Sequence, residues 1–565
     1  MTLNDLQKKL KKFKLDGFLV SHNNFFINQD IRADENIIQY LTGFSGSAGT
    51  LLIRPLPEKN ILFVDGRYEL QAPQQTNSKE VEVICTKDIS LIDWINLHFA
   101  HKTLGYNDWC WSINELEHLT TPKLKGDITF LPAAMTEETG RIFEHDLSYC
   151  GISREEKISH IAAYLTQNNL QGYFISAADS VSWLLNLRSD LLPETPIFRA
   201  YALIDEKCHV WIFTNNANLQ NPPVKLTILP LEQLPFRLKK FKNKNLGCDF
   251  NTTPVAIMAL AKQMNIRLIN QPDDCQQQKS IKNECELKGI RQAHIRDGIA
   301  ICKFLYWLEQ NWHNKTELDI VAKLHEYRAK QKNYVSESFS TIAAAGANGA
   351  IVHYVPTSNT NTPLTANTLL LIDSGAQYYD GTTDITRTIA LGHISPQMSD
   401  DFTLVLKSHI ALSSAVFPLN TTGDKLDTIA RLPFWKEGKT YHHGTGHGVG
   451  CFLNVHEGPT FISPSCRQPL KAGQITSIEP GLYLENKYGI RIENLVEVTP
   501  AAQQGFLQFK NLTLVPIDLR ALNKYLLSED EISWLNNYHQ QVYKTIAPHL
   551  TPDEKNWLKQ ACSPL

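Results

Sequence analysis

The stretch that decides the fold of this chain is LLLIDSGAQYYDGTTDITRT, residues 369–388. Its apolar start predicts a buried strand that ends at Asp373. Asp380-Gly381 is a typical hairpin turn, so a second strand is expected to run antiparallel to the first. Asp384 follows Asp373 by eleven positions (384 − 373 = 11), and the hairpin would bring the two carboxylates together. Buried carboxylates repel each other unless they share a proton or bind a metal ion. The alternative is a turn rich in solvated acids.

Length and composition describe a water-soluble protein of several domains. The 565 residues exceed what one hydrophobic core can hold, which predicts about two to four domains. The 42% of hydrophobic and 20% of charged residues are typical of globular domains. The net charge of −3 argues against a nucleic-acid-binding protein, and no apolar run has the length of a membrane span. We therefore expect neither nucleic acid nor a membrane as a partner.

The N-terminal residues and the cysteines favour a cytoplasmic location. Residues 1–18, MTLNDLQKKLKKFKLDGF, lack the apolar segment and the small-residue cleavage site of a signal peptide. Leu3, Leu6, Leu10 and Phe13 fit one face of an amphipathic helix, which is expected on the surface of the first domain and not as a membrane anchor. The 11 cysteines are scattered without a Cys-x-x-Cys pair, as expected for free thiols in a reducing compartment.

The first half of the chain has the pattern of two copies of one α/β unit. In the first copy a helix leads into a short buried strand at 17–20, and in the second a helical stretch at 155–167 leads into a similar strand at 171–176. Neither copy carries acids, histidines or cysteines at metal-ligand spacing. Both are therefore interpreted as scaffolding, or as a lid over a site elsewhere.

The last part of the chain begins with two predicted helices and continues as glycine-rich β structure. A polar, punctuated stretch at 270–280 precedes it. A long amphipathic helix is expected from residue 284 to about 311, and a second begins after Thr316, with Glu and Asp in its first turn. We therefore divide the chain into domains 1–150, 151–276 and 277–565, the last ending in a helical tail.

Four further motifs in this last domain join the opening stretch. They are AIVHY at 350–354, HGTGHGVG at 443–450, SIEPGLY at 477–483 and GIRIENL at 489–495. His443 and His447 have the spacing of a zinc-binding helix, but the glycines around them forbid a stable helix, so a strand or loop is expected. Arg491 and Glu493 alternate with isoleucines, which predicts that they project from one face of a strand.

The acids of these motifs and one histidine form an oxygen-rich candidate metal site. Its members are Asp373, Asp384, His447, Glu479 and Glu493. Such donors favour Mn²⁺, Co²⁺ or Zn²⁺, and four negative charges need more than one divalent ion, so a pair of ions is expected. Taken singly, each residue has the alternative of an ordinary strand-end acid or a core histidine. Agreement of five separate motifs by chance is a rare event.

In order and context, these five residues resemble the Asp-Asp-His-Glu-Glu ligand set of the pita-bread metallopeptidases, family M24. DSGAQYYDGTTDITRT, HGTGHGVG, NVHEGP and GIRIENL resemble in particular the three-domain, eukaryotic-type Xaa-Pro aminopeptidases, also called aminopeptidase P. DGRY at 65–68, VSWLLNLR at 181–188 and IKNECEL at 281–287 fit the same group, so the resemblance covers the whole chain. It implies an α/β (α+β) fold with two tandem creatinase-like N-terminal α/β domains followed by a pita-bread catalytic domain.

The resemblance also implies a role for each candidate ligand. Asp384 and Glu493 would bridge two metal ions, Asp373 would bind one of them, and His447 and Glu479 would bind the other. Mn²⁺ is the expected metal, with Co²⁺ and Zn²⁺ as alternatives. The ions would lower the pKa of the water that attacks the scissile carbonyl.

Further residues are implied to contact substrate or to support the ligands. His353 would steady the tetrahedral intermediate or transfer a proton. His456 would contact the substrate carbonyl, and His443 would line the proline pocket. Arg491 and Tyr483 would orient the ligands and the proton path.

The implied activity is that of a metal-dependent aminopeptidase that cleaves the bond between an N-terminal residue and a following proline. Its substrates would be peptides with proline at the second position, and the expected form is a cytoplasmic homodimer. The alternatives are a prolidase-like Xaa-Pro dipeptidase and a pita-bread binding module without catalysis. The additional N-terminal domain and the sequence motif DGTTDITRT favour the aminopeptidase over prolidase. Retention of all five candidate ligands argues against a binding module.

Overall fold

The computed structural model describes residues 2–27, 30–126, 129–131, 139–215 and 226–565. The chain forms two compact units. The first contains residues 1–145, 152–192 and 196–275, and the second contains residues 146–151, 193–195 and 276–565.

Two mixed β-sheets built on one plan organise the first unit. In sheet order, the described strands of the first sheet are Val81–Cys85, Asn60–Val64, Thr50–Ile53, Gly17–Ser21, Thr103–Tyr106 and Lys123–Gly126. Those of the second are Thr227–Leu229, Val210–Phe213, Tyr201–Asp205, Gly172–Ile175, Asn245–Cys248 and Arg267–Asn270. In each sheet the earliest strand pairs antiparallel with the next one along the chain and parallel with the fifth. The shared pattern confirms the predicted tandem repeat of α/β units.

Helices cover these sheets and bury their apolar faces. The described helices of this unit are Leu3–Phe13, Ile37–Thr42, Gln71–Gln75, Leu91–His98, Ile113–Glu117, Arg154–Gln167, Ala178–Leu185, Leu234–Leu238 and Val255–Gln263. In the first of them Leu3, Leu6 and Leu10 are buried, so the predicted amphipathic helix uses its leucine face for packing in the first sheet's core. Among the described residues, none of the helices combines the length and hydropathy that a membrane crossing requires.

The second unit contains the short helix Leu147–Cys150, and its main segment begins within the helix Asp274–Ser280. The two predicted helices follow. They are Glu284–Asn311 and Glu317–Ala329, and later helices are Pro396–Ser413, Gly423–Lys436, Glu529–Ile546 and Pro552–Ala561. Thr316 caps the second helix, because its hydroxyl accepts a hydrogen bond from the amide of Asp319 at 3.4 Å. The expected helical tail is also present at the C-terminal end.

The opening stretch forms antiparallel strands, as predicted. Thr368–Ser374 lies between Ile342–Ala345 and Ile385–Leu391 in a three-stranded sheet, with Asp373 opposite Thr386. The hairpin turn lies at Tyr379 and Asp380, one residue earlier than the predicted Asp380-Gly381, because Gly381 already pairs with Tyr378. It joins Ala376–Tyr378 to Gly381–Thr382, two short strands that lie between the long strands along the chain and form a second three-stranded sheet with Tyr334–Glu337. Asp373 therefore lies near the end of the first long strand, and Asp384 directly precedes the second.

A six-stranded antiparallel sheet contains parts of HGTGHGVG and SIEPGLY and the last two residues of GIRIENL. Its order is Val416–Pro418, Phe506–Asn511, Asn494–Pro500, Ile475–Ile478, Gly446–Gly448 and Glu457–Ile462. His447 lies in the middle of a short strand, which confirms the non-helical environment expected from its glycines. Glu479 directly follows Ile475–Ile478, where the predicted strand ends before Pro480.

The expectation of one continuous strand through Arg491 and Glu493 is wrong. Tyr488–Arg491 pairs with Gly481–Leu484 in a two-stranded sheet, whereas Asn494–Pro500 belongs to the six-stranded sheet. The chain changes sheets at residues 492–493, so Glu493 lies between two strands. Ile490 and Ile492 are both completely buried in the hydrophobic core, as the alternation predicted.

Candidate metal centre

Three buried side chains that lie on these strands or directly beside them come together. Asp384, His447 and Glu493 each offer one ligand atom, and these atoms lie within 4.8 Å of one another. Glu479 joins them, because its Oε1 is 3.3 Å from the Nε2 of His447. The Oδ2 of Asp384 is 3.6 Å from the same nitrogen. Asp373 is connected to this group through Arg491, which donates from Nη2 to its Oδ2 at 2.6 Å. The fold thus brings three candidate ligands together, with Glu479 beside His447 and with Asp373 near enough for its charge to act on Asp384.

Several carboxylate oxygens of the group are buried and have no hydrogen-bond partner among the described residues. They are Oδ1 of Asp373, Oδ1 of Asp384 and Oε1 of Glu493. An unsatisfied buried carboxylate is expensive. Burial, reinforced by the charges of the neighbouring carboxylates, raises the pKa of Asp384 and of Glu493 well above the ordinary range. Divalent cations would give these oxygens the partners they lack, so the residues fit a metal site.

The orientation of His447 points to the same conclusion. Its Nδ1 lies 3.0 Å from the carbonyl oxygen of Gly448 and must donate the proton of that hydrogen bond. Burial lowers the pKa of His447, which favours a neutral ring whose Nε2 carries a lone pair. That lone pair faces the carboxylates of Asp384 and Glu479, an arrangement that a cation between them would stabilise. In metal-binding histidines, the ring nitrogen that does not bind the metal usually donates a hydrogen bond to a backbone carbonyl, a carboxylate or water.

Arg491 is the cation that the structure already provides at this cluster. Besides Asp373, it donates from Nη1 to the hydroxyl oxygen of Tyr483 at 2.8 Å. Burial alone would lower the pKa of Arg491, but Tyr483, Asp373 and Glu479 together raise it well above the ordinary value. Burial raises the pKa of Tyr483 to about 12. Both side chains therefore keep their protons at neutral pH.

Two hydroxyl side chains that the sequence analysis missed orient the ligands. The Oγ1 of Thr386 donates to Oε2 of Glu493 at 2.8 Å and accepts from Nε of Arg491 at 3.2 Å. The Oγ of Ser477 donates to Oε1 of Glu479 at 3.2 Å and accepts from the amide of His447 at 3.0 Å. Each hydroxyl lies two residues from a candidate ligand along the chain, and that spacing is the signal that could have identified it.

Arg387 was also missed, and it fixes the backbone of a ligand. Its Nη1 donates to the carbonyl oxygen of Glu493 at 2.6 Å. Its Nη2 donates to Oδ1 of Asn494 at 2.8 Å and to the hydroxyl of Tyr538 at 2.9 Å. Because Tyr538 lies on the helix Glu529–Ile546, this buried guanidinium ties the C-terminal helical region to the backbone that carries Glu493.

The three candidate substrate histidines occupy different environments. His456 is exposed, and its ring centroid is 4.2 Å from that of His447. His443 is half-buried and its Nε2 is 2.9 Å from the hydroxyl of Tyr483. His353 is half-buried, and the carbonyl of its neighbour Val352 accepts a hydrogen bond from Arg491 at 3.3 Å.

The glycines of HGTGHGVG are not equivalent, which allows a direct test of the loop. A Cβ added at Gly446 would lie 2.0 Å from the carbonyl oxygen of Ser477, whereas one added at Gly444 would meet its nearest atom at 3.5 Å. Gly446→Ala should therefore displace the strand that carries His447. We expect a loss of about 10²-fold in activity, the cost of a misplacement near 1 Å, together with lower metal content. Gly444→Ala is the matched control and should behave like the unmodified protein. Equal metal content and kcat/KM in the two variants would contradict this account of the loop.

Family profiles match the chain along nearly its whole length. The profile of metallopeptidase family M24 matches residues 288–500, and that of the C-terminal region of peptidase M24 matches residues 505–565. Two profiles of the creatinase/prolidase N-terminal domain match residues 3–142 and 134–286. The two N-terminal matches correspond to the two repeated α/β sheets.

Individual relatives match over similar lengths. The "probable Xaa-Pro aminopeptidase P" of Laccaria bicolor is 33% identical, covering 100% of this chain and 93% of the relative. Aminopeptidase P2 of Arabidopsis thaliana is 34% identical, covering 93% of this chain and 82% of the relative. The crystal structure of X-prolyl aminopeptidase from Caenorhabditis elegans, described as a cytosolic enzyme with a di-nuclear active site, superposes with a TM-score of 0.93 at 30% identity and covers 100% of both chains. The chain therefore belongs to metallopeptidase family M24, among the aminopeptidases P that carry creatinase-type N-terminal domains ahead of a pita-bread domain.

Proposed function

We propose that this protein is an Xaa-Pro aminopeptidase, which hydrolyses the bond between the N-terminal residue of a peptide and a proline at the second position. The observation that carries the proposal is the convergence of Asp384, His447 and Glu493 on one point inside the core, with carboxylate oxygens that lack partners. The names of the relatives support the same activity, as does the di-nuclear active site reported for the C. elegans enzyme.

Five residues would hold the two metal ions. Asp384 and Glu493 are assigned as bridging ligands, Asp373 as a ligand of one ion, and His447 and Glu479 as ligands of the other. The mixture of carboxylate oxygens with one imidazole favours Mn²⁺, with Co²⁺ and Zn²⁺ as alternatives. When bound, the ions would supply Lewis-acid polarisation of the peptide carbonyl and lower the pKa of the attacking water.

The side chains around this centre would orient the peptide. Tyr483 accepts a hydrogen bond from Arg491, so its own proton can be donated to Nε2 of His443. The Nδ1 of His443 in turn donates to the carbonyl of Gly444 at 2.7 Å. This directed series fixes the ring of His443, which we assign to the proline pocket.

The two remaining histidines are assigned to the reacting carbonyl. His456 is exposed beside His447, a position from which its ring can donate to the substrate carbonyl. His353 is assigned to stabilise the tetrahedral intermediate or to transfer a proton, tasks that an imidazole can perform because it both donates and accepts hydrogen bonds.

We also propose the organisation of the protein and its setting. The domains are residues 1–150, 151–276 and 277–565, a division that the repeated sheets and the family profiles support. A cytoplasmic location agrees with the cytosolic C. elegans relative and with the free cysteines of the chain. A homodimer is the proposed assembly.

Metal removal is the first test of this function. Protein stripped by a chelator, with the stripping verified by elemental analysis, is expected to lose cleavage of an Xaa-Pro-Xaa peptide. Activity should return best with Mn²⁺ or Co²⁺, and Mg²⁺ serves as a control ion because it prefers all-oxygen octahedral sites. Full turnover by the stripped protein would show that the metal assignment is wrong.

The same assay separates the proposal from its alternatives. A prolidase-like enzyme would prefer Xaa-Pro dipeptides to the longer peptide. A binding module would bind metal or peptide without releasing the first residue. Release of the N-terminal residue from the longer peptide is the result expected of the aminopeptidase.

A further inference from the structure

Glu317 is a completely buried carboxylate that four neutral donors surround. Its Oε1 accepts from the amide of Ala345 at 2.8 Å and from Nδ2 of Asn348 at 2.9 Å. Its Oε2 accepts from the hydroxyl of Tyr354 at 2.8 Å and from the amide of Thr362 at 2.9 Å. An ionised carboxylate offers about four acceptor sites, so the side chain is fully satisfied.

The position of Glu317 does not explain its burial. A glutamate in the first turn of a helix ordinarily complements the helix dipole from the surface. The capping box at this helix end is made by Thr316 with Asp319 and does not need Glu317. Taking a carboxylate out of water is costly even when it is hydrogen-bonded. We therefore interpret its burial as a means of holding in place the segment that supplies its four donors.

Those donors hold both ends and the middle of one loop. Ala345 ends the strand Ile342–Ala345, and Asn348 lies in the turn Gly346–Ala350. Thr362 lies at the far end, next to Pro363, which forms a bridge to Thr316. Tyr354 is in the middle of the loop, directly after His353. Glu317 thus binds the loop that carries His353 to the first turn of the helix Glu317–Ala329.

A second anchor holds the residue on the other side of His353. Arg491 donates from Nη1 to the carbonyl of Val352 at 3.3 Å while its Nη2 binds Asp373. The backbone of the turn also touches the strand that leads to Arg491, because a Cβ added at Gly489 would lie 1.6 Å from the carbonyl oxygen of Gly349. His353 is therefore placed between one neighbour fixed to Arg491 and another fixed to Glu317.

We propose that Glu317 is a positioning residue, which sets the imidazole of His353 relative to the candidate metal centre. The inference rests on the proposed role of His353 in peptide cleavage. Glu317 has no contact with a candidate metal ligand among the hydrogen bonds of the described residues. Its influence on the reaction should consequently pass through the loop and leave metal binding intact.

The test begins with Glu317→Gln, which keeps the size of the side chain. On either side the new amide NH₂ would face a backbone amide that also donates, that of Ala345 or of Thr362, so at least one of the loop's contacts to residue 317 would be replaced by repulsion. We expect kcat to fall by about 10- to 100-fold, as for a catalytic group misplaced by about 1 Å, with KM and metal content little changed. Tyr354→Phe removes one hydroxyl from the same carboxylate and should lower kcat less.

The His353→Ala background distinguishes positioning from general stabilisation. If Glu317 acts through His353, adding Glu317→Gln to His353→Ala should leave the residual kcat unchanged. Thr316→Ala is the matched control, because it removes the cap of the same helix without removing a bond to the loop. It should lower the melting temperature and leave kcat as it is. An equal fall of kcat from Glu317→Gln in both backgrounds, or none in the unmodified protein, would overturn the inference.

A readout independent of activity separates this inference from the proposed function. In protein labelled at histidine, the magnetic resonance signal of the His353 ring can be assigned by its absence from His353→Ala. Glu317→Gln should shift that signal, and Thr316→Ala should not. An unchanged His353 signal in Glu317→Gln would overturn the positioning role even in an active enzyme. Failure of the unmodified, metal-loaded protein to cleave Xaa-Pro peptides would instead overturn the proposed function.

Discussion

Replacing Glu493 by alanine is expected to abolish peptide cleavage and to release metal from the purified protein. Its Oε1 is a buried acceptor without a partner among the described residues, and its Oε2 accepts from Thr386. Because we assign this carboxylate to bridge both ions, its removal would weaken both sites at once and would leave the hydroxyl of Thr386 without its acceptor. Metal content per chain and kcat, measured together at saturating metal, check the expectation.

Glu497→Ala is the matched control for this variant. Glu497 is a buried carboxylate on the strand that follows Glu493, and it pairs with Arg291 at 2.6 Å. Its loss should cost some stability but should leave metal binding and turnover near normal. Retention of metal by Glu493→Ala would contradict the five-residue ligand assignment.

His353→Ala should differ from Glu493→Ala in its metal content. We expect it to retain metal and to lose turnover by about 10²- to 10⁴-fold, the usual contribution of a positioned acid or base. The comparison is informative because turnover falls in both variants, and only the metal content distinguishes a metal ligand from a residue that acts on the substrate. Metal loss from His353→Ala would move His353 into the ligand set.

The candidate ligands could be predicted from the sequence because of where strands end. Asp373 and Glu479 close or follow apolar runs, and Asp384 precedes one. A charged residue at such a boundary stands out against the hydrophobic pattern that defines the strand. The repeated sheets of the first unit were predictable for a different reason, because each copy presents its strands in the same order along the chain.

Other features depend on contacts between distant parts of the chain. The alternation around Arg491 and Glu493 is the same for one strand as for two strands in succession. Only the pairing partners decide between them: the residues up to Arg491 pair with Gly481–Leu484, and those from Asn494 pair with Ile475–Ile478. Glu317 looks like an ordinary first-turn acid until the loop that ends at Thr362 folds over it. Local propensity carries no information about such partners.

Specificity for proline should appear as a strong preference in kcat/KM. The peptide bond before proline has no N–H and the ring fixes φ, so the enzyme must recognise the ring itself. In a matched series, Arg-Pro-Pro should be cleaved far faster than Arg-Ala-Pro, because missing methylenes in a hydrophobic pocket are worth about 1–3 kcal/mol, or about 10- to 200-fold. N-terminally acetylated Arg-Pro-Pro should not be cleaved, since we expect the acidic centre to recognise the free amine.

Two adjacent histidines allow a test of which residue recognises the proline ring of the substrate. His443 is fixed by Tyr483 and Gly444, whereas its neighbour His442 is exposed. We expect His443→Ala to reduce the ratio of kcat/KM between the proline and alanine peptides, and His442→Ala to leave that ratio unchanged. Because the ratio compares two substrates of one enzyme, a general loss of activity or metal cancels from it. Equal rates on all three peptides by the unmodified protein would refute the aminopeptidase assignment and leave the metal centre standing. A ratio untouched by His443→Ala would place the proline pocket elsewhere.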